Sequence, residues 1–333
     1  MDLVTGGTGI VGSHVIDALL AAGRPVRALV RKGTDRSIVQ RILSHYHPDG
    51  AARFARIQWA EGDLFDVMAL ETALQGVEHV HHCAAVVSFD PRDRAAMMRT
   101  NIDGTANLVN AALNAGVKRL CHVSSTATVV PPPEGGASHE DTPFTEGKNE
   151  TPYAISKYGA ELEVQRGIAE GLDAVLVNPC VVIGPGIPGR SSMTMVERFR
   201  KGTRFFPAGS NAVVDARDVA MAMVQLIERG ATGERHLLIG ENLSYRELAT
   251  LLTTSAGKPA PSFALRPWML GVAWRLEALR TLFGGRPMIT RATARTASRQ
   301  RLYNGAKAER LLGLRFRTAK EAVDNVAAFL GRK

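Results

Sequence analysis

"VTGGTGIVGSHVI", from Val4 to Ile16, sets three glycines, Gly6, Gly9 and Gly12, at intervals of three between a short apolar stretch and an apolar, helix-like run. Glycine costs about 0.5–1 kcal/mol relative to alanine inside regular structure, so something must come close to the main chain here. A strand, a glycine turn and a helix in that order make a pyrophosphate cradle. Gly6 turns the chain, Gly9 admits the phosphates and Gly12 lets the helix pack closely. The helix N-terminus adds free N–H groups and partial positive charge.

Beyond this turn, β-rich runs alternate with helical ones. "PVRALV" (25–30), "RIQWA" (56–60), "EHVHHCA" (78–84), "KRLCHVSS" (118–125) and "DAVLVNP" (173–179) read as strands. Helical patterns lie near 10–22, 66–75, 93–115 and 152–171. The alternation predicts an α/β fold, a Rossmann-type doubly wound parallel sheet covered by helices on both faces. After Gly184 the order is less regular, with helices expected at 193–201, 215–229, 244–255, 266–283 and 318–330. The expected division is a cofactor-binding domain over 1–183, completed by parts of 211–240. A smaller, mostly helical substrate domain takes 184–210 and 241–333. "VVPPPEGGASHEDTP" (129–143) is a long loop of the kind that often carries function.

No run of 18 uncharged apolar residues occurs, so no membrane-spanning helix is expected. The N-terminus lacks the pattern of an export signal, which points to the cytoplasm. Cys83, Cys121 and Cys180 read as free thiols. His79, His81 and His82 resemble a metal cluster, but alternate residues of a strand face opposite sides, and no metal is expected. His45 and His47, in "SHYHPDG", read as solvated loop residues. The net charge of +9 is uneven: Lys258–Lys333 holds sixteen Lys and Arg against four Asp and Glu.

"TPYAISKYGAELE" carries Tyr153 and Lys157 four apart, hence on one face of a helix, with Thr151 as N-cap and Pro152 as first helical residue. It follows a Ser/Thr-rich strand end, "VSSTATV". Reduction of a ketone needs a hydride on carbon and a proton on oxygen. A tyrosine of ordinary pKa, about 10, is a poor proton shuttle at neutral pH. A nearby ammonium would lower it, a role expected of Lys157.

Together these segments resemble the extended short-chain dehydrogenase/reductase family, of the NAD-dependent epimerase/dehydratase type. The glycine spacing, "EGDLFD", "HHCAAV", "TNIDGTANLV", "HVSSTATV", "YAISK", "VNPCVVIGPG" and "YNGAKAERLLGLRFR" match it in order along essentially the whole chain. The resemblance implies that Gly6, Thr8, Gly9, Ile10, Val11 and Gly12 hold the pyrophosphate. It places Asp63 and Leu64 at the adenine. Cys83, Ala84, Ala85, Asn101, Ser124, Pro179 and Val181 fall along the rest of the cofactor, with Tyr153 and Lys157 at the nicotinamide ribose. It makes Thr126 the third catalytic member, with Ser125 the alternative one residue away. It also implies a homodimer through the helices at 93–115 and 152–171.

The second strand ends at Arg31 and Lys32, where NAD readers usually place an acid for the ribose 2′-hydroxyl. A guanidinium can instead bind a 2′-phosphate bidentately, so NADP is expected, with NAD less favoured. Ala127 and Thr128 replace the Asp-Glu pair of the sugar 4,6-dehydratases, and the missing acid argues against the sugar epimerases. The resemblance runs closest to the dihydroflavonol 4-reductase and 3β-hydroxysteroid dehydrogenase branch, an oxidoreductase of small carbonyl and alcohol substrates of apolar character. Sugar-nucleotide epimerase/dehydratase chemistry and a non-catalytic NADP sensor stand as alternatives. Val87, Ser88, Phe89, the 129–143 loop and 184–206 are expected to shape the pocket.

"RPWMLGVAWRLEALRTLFGGR" (266–286), followed by Arg291, Arg295, Arg299 and Arg301, reads as an amphipathic helix packed on the substrate domain with a solvated basic face. Weak association with an anionic membrane, or binding of a CoA or sugar-nucleotide phosphate, are the sharper readings. No nucleic-acid module is visible.

Overall fold

Apolar strands and amphipathic helices build a doubly wound sheet. The computed structural model describes residues 1–129, 132, 136–142, 144, 150–282, 284–285, 287 and 289–331. The first half runs β1 (Asp2–Thr5), α1 (Ile10–Ala21), β2 (Val26–Val30), α2 (Ser37–Tyr46), α3 (Gly50–Ala55), β3 (Gln58–Glu61), α4 (Val67–Leu74), β4 (His79–His82), α5 (Arg94–Met98), α6 (Gly104–Asn114), β5 (Arg119–Val123), α7 (Pro152–Ala169) and β6 (Ala174–Pro179). There follow β7 (Val181–Ile183), α8 (Ser192–Arg200), β8 (Phe205–Pro207), β9 (Ser210–Asp215), α9 (Ala216–Arg229), β10 (Arg235–Leu238), β11 (Glu241–Ser244), α10 (Tyr245–Thr254), β12 (Phe263–Leu265), α11 (Pro267–Leu282), α12 (Arg291–Ala297), α13 (Ala306–Leu312) and α14 (Ala319–Leu330).

The main sheet has seven parallel strands in the order β3-β2-β1-β4-β5-β6-β10. The order reverses between β1 and β4. In open parallel sheets the crevice at the carboxyl ends of such strands is where ligands bind. Period-two alternation sends Val4 into one core, with Val15, Leu19, Val219 and Met223, and Leu3 into the other, with Leu70, Leu108 and Val164. Each such side chain stabilises the fold by roughly 1.5–3 kcal/mol through burial. Two small sheets, β7-β9-β11 and β8-β12, lie apart. Met193, Val196, Leu248, Leu252 and Val323 form a third core.

Three differences from the sequence reading have physical causes. The stretch around His45 and His47 is not a solvated loop. Ile38, Val39, Ile42 and Leu43 bury one face of α2, which carries His45 to Asn325 (Nε2–Oδ1 3.0 Å) and His47 to Asp17 (Nε2–Oδ1 2.7 Å). The 93–115 helix is interrupted by a π-helical turn, Arg99–Asp103, between α5 and α6. The basic run contains a separate short helix, α12, capped by Thr290. Much of the 129–143 loop, with Phe283 and Arg286, lies outside the described residues.

Candidate active site

The glycine turn leaves β1 at the switch point. Gly6 adopts φ +66°, and a Cβ there would stand 2.7 Å from the main chain of Ala84, which follows β4. A Cβ on Gly12 would meet the Gly6 carbonyl oxygen at 2.3 Å. Gly12 therefore packs α1 against the turn itself. Gly9 is the N-cap of α1, exposed and without a side chain to satisfy the helix N–H groups. A cradle that side chains would fill, floored by free N–H groups, fits a dinucleotide pyrophosphate. Thr8, Ile10 and Val11 are half-buried around it. Thr5 fixes the cradle's wall: its Oγ1 accepts from the Ala84 N–H at 3.2 Å and meets His82 Nδ1 at 2.8 Å.

Other predicted cofactor residues gather at the same sheet edge. Arg31 and Lys32 follow β2, exposed. Asp63 is half-buried beyond β3 and closes an Asx turn onto the Phe65 N–H at 3.1 Å. Leu64 is buried. Cys83 and Ala84 are half-buried and Ala85 is exposed. Asn101 sits in the π-helical turn, buried. It clamps Val86 from both sides (Val86 N–H to Oδ1 2.8 Å; Nδ2 to the Val86 carbonyl 3.0 Å) and donates to Ser156 Oγ at 3.0 Å. π-turns commonly re-aim a side chain at functional sites. Pro179 ends β6, buried, and Val181 opens β7, half-buried.

Thr151 caps α7 as its sequence requires, accepting from the Ala154 N–H at 3.1 Å, with Pro152 in the first turn. Tyr153 and Lys157 follow on one face. Of the two hydroxyl candidates, Ser125 is the one whose hydroxyl acts on the Tyr153 phenol, favouring its ionised form. Thr126 is buried in the 3-10 turn Thr126–Thr128 that follows. Burial pushes the Tyr153 pKa up, and the Ser125 hydroxyl offsets part of this. The lowering by Lys157 expected from the sequence does not appear in this structure, where the ammonium is directed to β5. Lys157 Nζ donates to the Val123 carbonyl at 2.7 Å and lies 3.4 Å from His122 Nε2. Burial pulls Lys157 down to about 8, while Glu161 favours the charged form. His122 is held neutral, chiefly by burial.

Glu161 was not singled out in the sequence. One turn beyond Lys157 and buried, it accepts from Ser124 Oγ, from Thr128 Oγ1 at 2.8 Å and from Asn178 Nδ2 at 2.7 Å, and pairs with Arg235 at 3.6 Å. Asn178 also donates to the Ser125 carbonyl at 3.2 Å. Ser124, predicted at the cofactor, thus spends its hydroxyl on Glu161. Arg235 reaches on to the carbonyls of Glu140 and Thr142. The signal available in the sequence was the eight-residue step from Tyr153, which keeps Glu161 on the same helix face.

Phe89 covers Tyr153, their ring centroids 6.3 Å apart. Beside it a cavity of about 250 Å³ is lined by Ser88, Phe89, Met97 and Pro152 on one side and by Arg291, Arg295 and Arg299 on the other. Ser88 and Phe89 were anticipated as pocket residues and α12 was not.

The family model for NAD dependent epimerase/dehydratase proteins matches residues 3–240. Sterol demethylase protein B of Methylococcus capsulatus is 32% identical over 320 residues, covering 94% of this chain and 92% of the relative. A putative dihydroflavonol 4-reductase of Synechocystis is 33% identical over 329 residues, covering 96% and 91%. Among solved structures, gox2253 superposes with a TM-score of 0.82 at 33% identity, covering 99% of this chain and 97% of that one. The chain belongs to the NAD-dependent epimerase/dehydratase family and is an NAD(P)-dependent oxidoreductase of the extended short-chain dehydrogenase/reductase type.

Proposed function

We propose that the protein interconverts a ketone or aldehyde and an alcohol on an apolar small molecule, using NADP(H), with Tyr153 as the proton carrier. Tyr153 and Lys157 one turn apart on α7, with the Ser125 hydroxyl acting on the phenol and a glycine cradle at the switch point of the same sheet, carry this reading. A nicotinamide held by the cradle would supply the hydride. Ser125 and Tyr153 would both address the substrate oxygen. Tyr153, kept protonated at neutral pH by its raised pKa, gives its proton as negative charge develops there. Lys157, held by Val123, supplies positive charge one turn away as phenolate forms.

Arg31 favours the 2′-phosphate of NADP, since it is exposed just beyond β2 and no acid follows it in the chain before Asp35. The names of the two curated relatives support a sterol- or flavonoid-like substrate. Phe89, Met97 and Pro152 give the cavity an apolar portion for such a skeleton, in a lining that also holds Arg291, Arg295 and Arg299. A homodimer through α5–α6 and α7 is in keeping with Leu162, exposed on α7.

The test is NADPH consumption by the purified protein against steroid, flavanone, aromatic aldehyde and sugar-nucleotide carbonyls. Turnover of apolar carbonyls is expected, with Tyr153→Phe lowering kcat by about 10²–10⁴-fold and leaving NADPH affinity unchanged. Tight NADPH binding with no turnover of any of them would leave a sensor, and turnover confined to sugar nucleotides would return the protein to epimerase or dehydratase chemistry.

A further inference from the structure

α11 turns its apolar stripe outward. Trp268 is 65% exposed, Val272 48%, Leu276 61% and Leu279 57%. Steps of four, four and three put them on one face of the helix. The opposite side meets the protein through Leu270, which is buried. This reverses the packing expected from the sequence, where the apolar face was read as the inward one. Arg275 and Arg280 flank the stripe on its two sides. Arg275 stacks on Trp274 with 4.8 Å to the ring centroid, and Arg280 is braced by Glu277 at 2.6 Å.

β12, which leads into the helix, adds a second exposed apolar pair. Phe205 of β8 and Phe263 of β12 pair in register, both exposed, with ring centroids 5.6 Å apart. Lys201, Arg204 and Arg266, all exposed, lie within four residues of them in the chain. Large apolar side chains exposed together in this way on a folded protein mark an interaction site. Its surroundings identify the partner. Between Lys258 and Arg301 there are nine basic residues and a single acid, Glu277. A second copy would bring the same positive charge against this face, whereas an anionic bilayer brings the opposite sign.

We propose that the outward face of α11, with Phe205 and Phe263, docks on an anionic lipid bilayer. The helix lies in the interface plane, its Trp and Leu side chains entering the acyl boundary and its arginines reaching the headgroups. No described helix is long and apolar enough to cross a membrane, so contact is peripheral and reversible. An apolar substrate dissolved in that bilayer would then be collected at the surface.

Flotation of the full-length protein with vesicles tests this, using phosphatidylcholine alone and phosphatidylcholine with phosphatidylglycerol. Binding to the phosphatidylglycerol vesicles at low salt is expected, with release at high salt and little binding to phosphatidylcholine alone. Each of Arg266→Gln and Arg275→Gln should weaken it about fivefold. Leu276→Ser should weaken it about tenfold or more, with the melting temperature unchanged because the side chain is exposed. Failure to bind anionic vesicles at low salt would overturn the proposal. So would vesicle binding that Leu276→Ser/Leu279→Ser leaves intact, or a solution dimer that this pair of changes converts to monomer.

Discussion

Lys157 Nζ donates a 2.7 Å hydrogen bond to the Val123 main-chain oxygen. The contact ties helix α7 to the last residue of β5, just before the turn that carries Ser125. Position of the ammonium relative to that turn is therefore set by the sheet itself.

The protonation of this lysine should be visible in kinetics. Its pKa is depressed to about 8, so the ammonium is present below that pH and lost above it. Carbonyl reduction should accordingly decline as pH rises through about 8, and Lys157→Met should be slow at all pH values and lack that limb. Stability should move the other way. Between about 8 and the ordinary lysine value of 10.5 the unfolded chain binds more protons, so unfolding free energy contributed by this group rises with pH. Paired pH–rate and denaturation profiles check both signs.

Ser125 and Thr126 are separable by single changes. Ser125→Ala removes the hydroxyl that favours ionisation of Tyr153 and should lower kcat about 10²-fold, the scale of losing one oxyanion donor. Thr126→Val, which keeps the buried shape, should cost less than tenfold if Ser125 is the polarising group. Steady-state kcat values for the two variants decide between them.

Arg31 is expected to choose the coenzyme. Its replacement by Ala should raise the KM for NADPH about 10–100-fold, the worth of a charge-assisted contact to phosphate, and leave the KM for NADH nearly unchanged. A native preference for NADH would refute the assignment.

Glu161 should matter to both fold and rate. Glu161→Ala removes the carboxylate that pairs with Arg235 and accepts from Asn178 and two hydroxyls, a loss of about 3–5 kcal/mol by analogy with broken buried ion pairs. Glu161→Gln retains the shape and one acceptor oxygen, so it should be milder in chemical denaturation. Because Asn178 also holds the Ser125 carbonyl, kcat should fall in both, with NADPH affinity affected far less.

The sequence was most legible where local chemistry admits one solution. The glycines before α1, the Thr151–Pro152 start of α7 and the Tyr153–Lys157 spacing each specify their own geometry. Strand alternation then sufficed for the parallel sheet. Less was legible where distant segments decide. Glu161 looks like any acid on a helix until Arg235, from the far edge of the sheet, arrives beside it. The hydroxyl register at Ser125 and Thr126 turns on a 3-10 turn that alignment does not see. The apolar run of α11 has the same period whether its face looks inward or outward, and only packing decides which.

The Glu161–Arg235 pair has a further consequence for how the molecule can be divided. A fragment ending ahead of β10 would retain the glycine cradle and all of α7, yet enclose a carboxylate stripped of its Arg235 partner. In a nascent chain that pair can form only after residue 235 has emerged and docked.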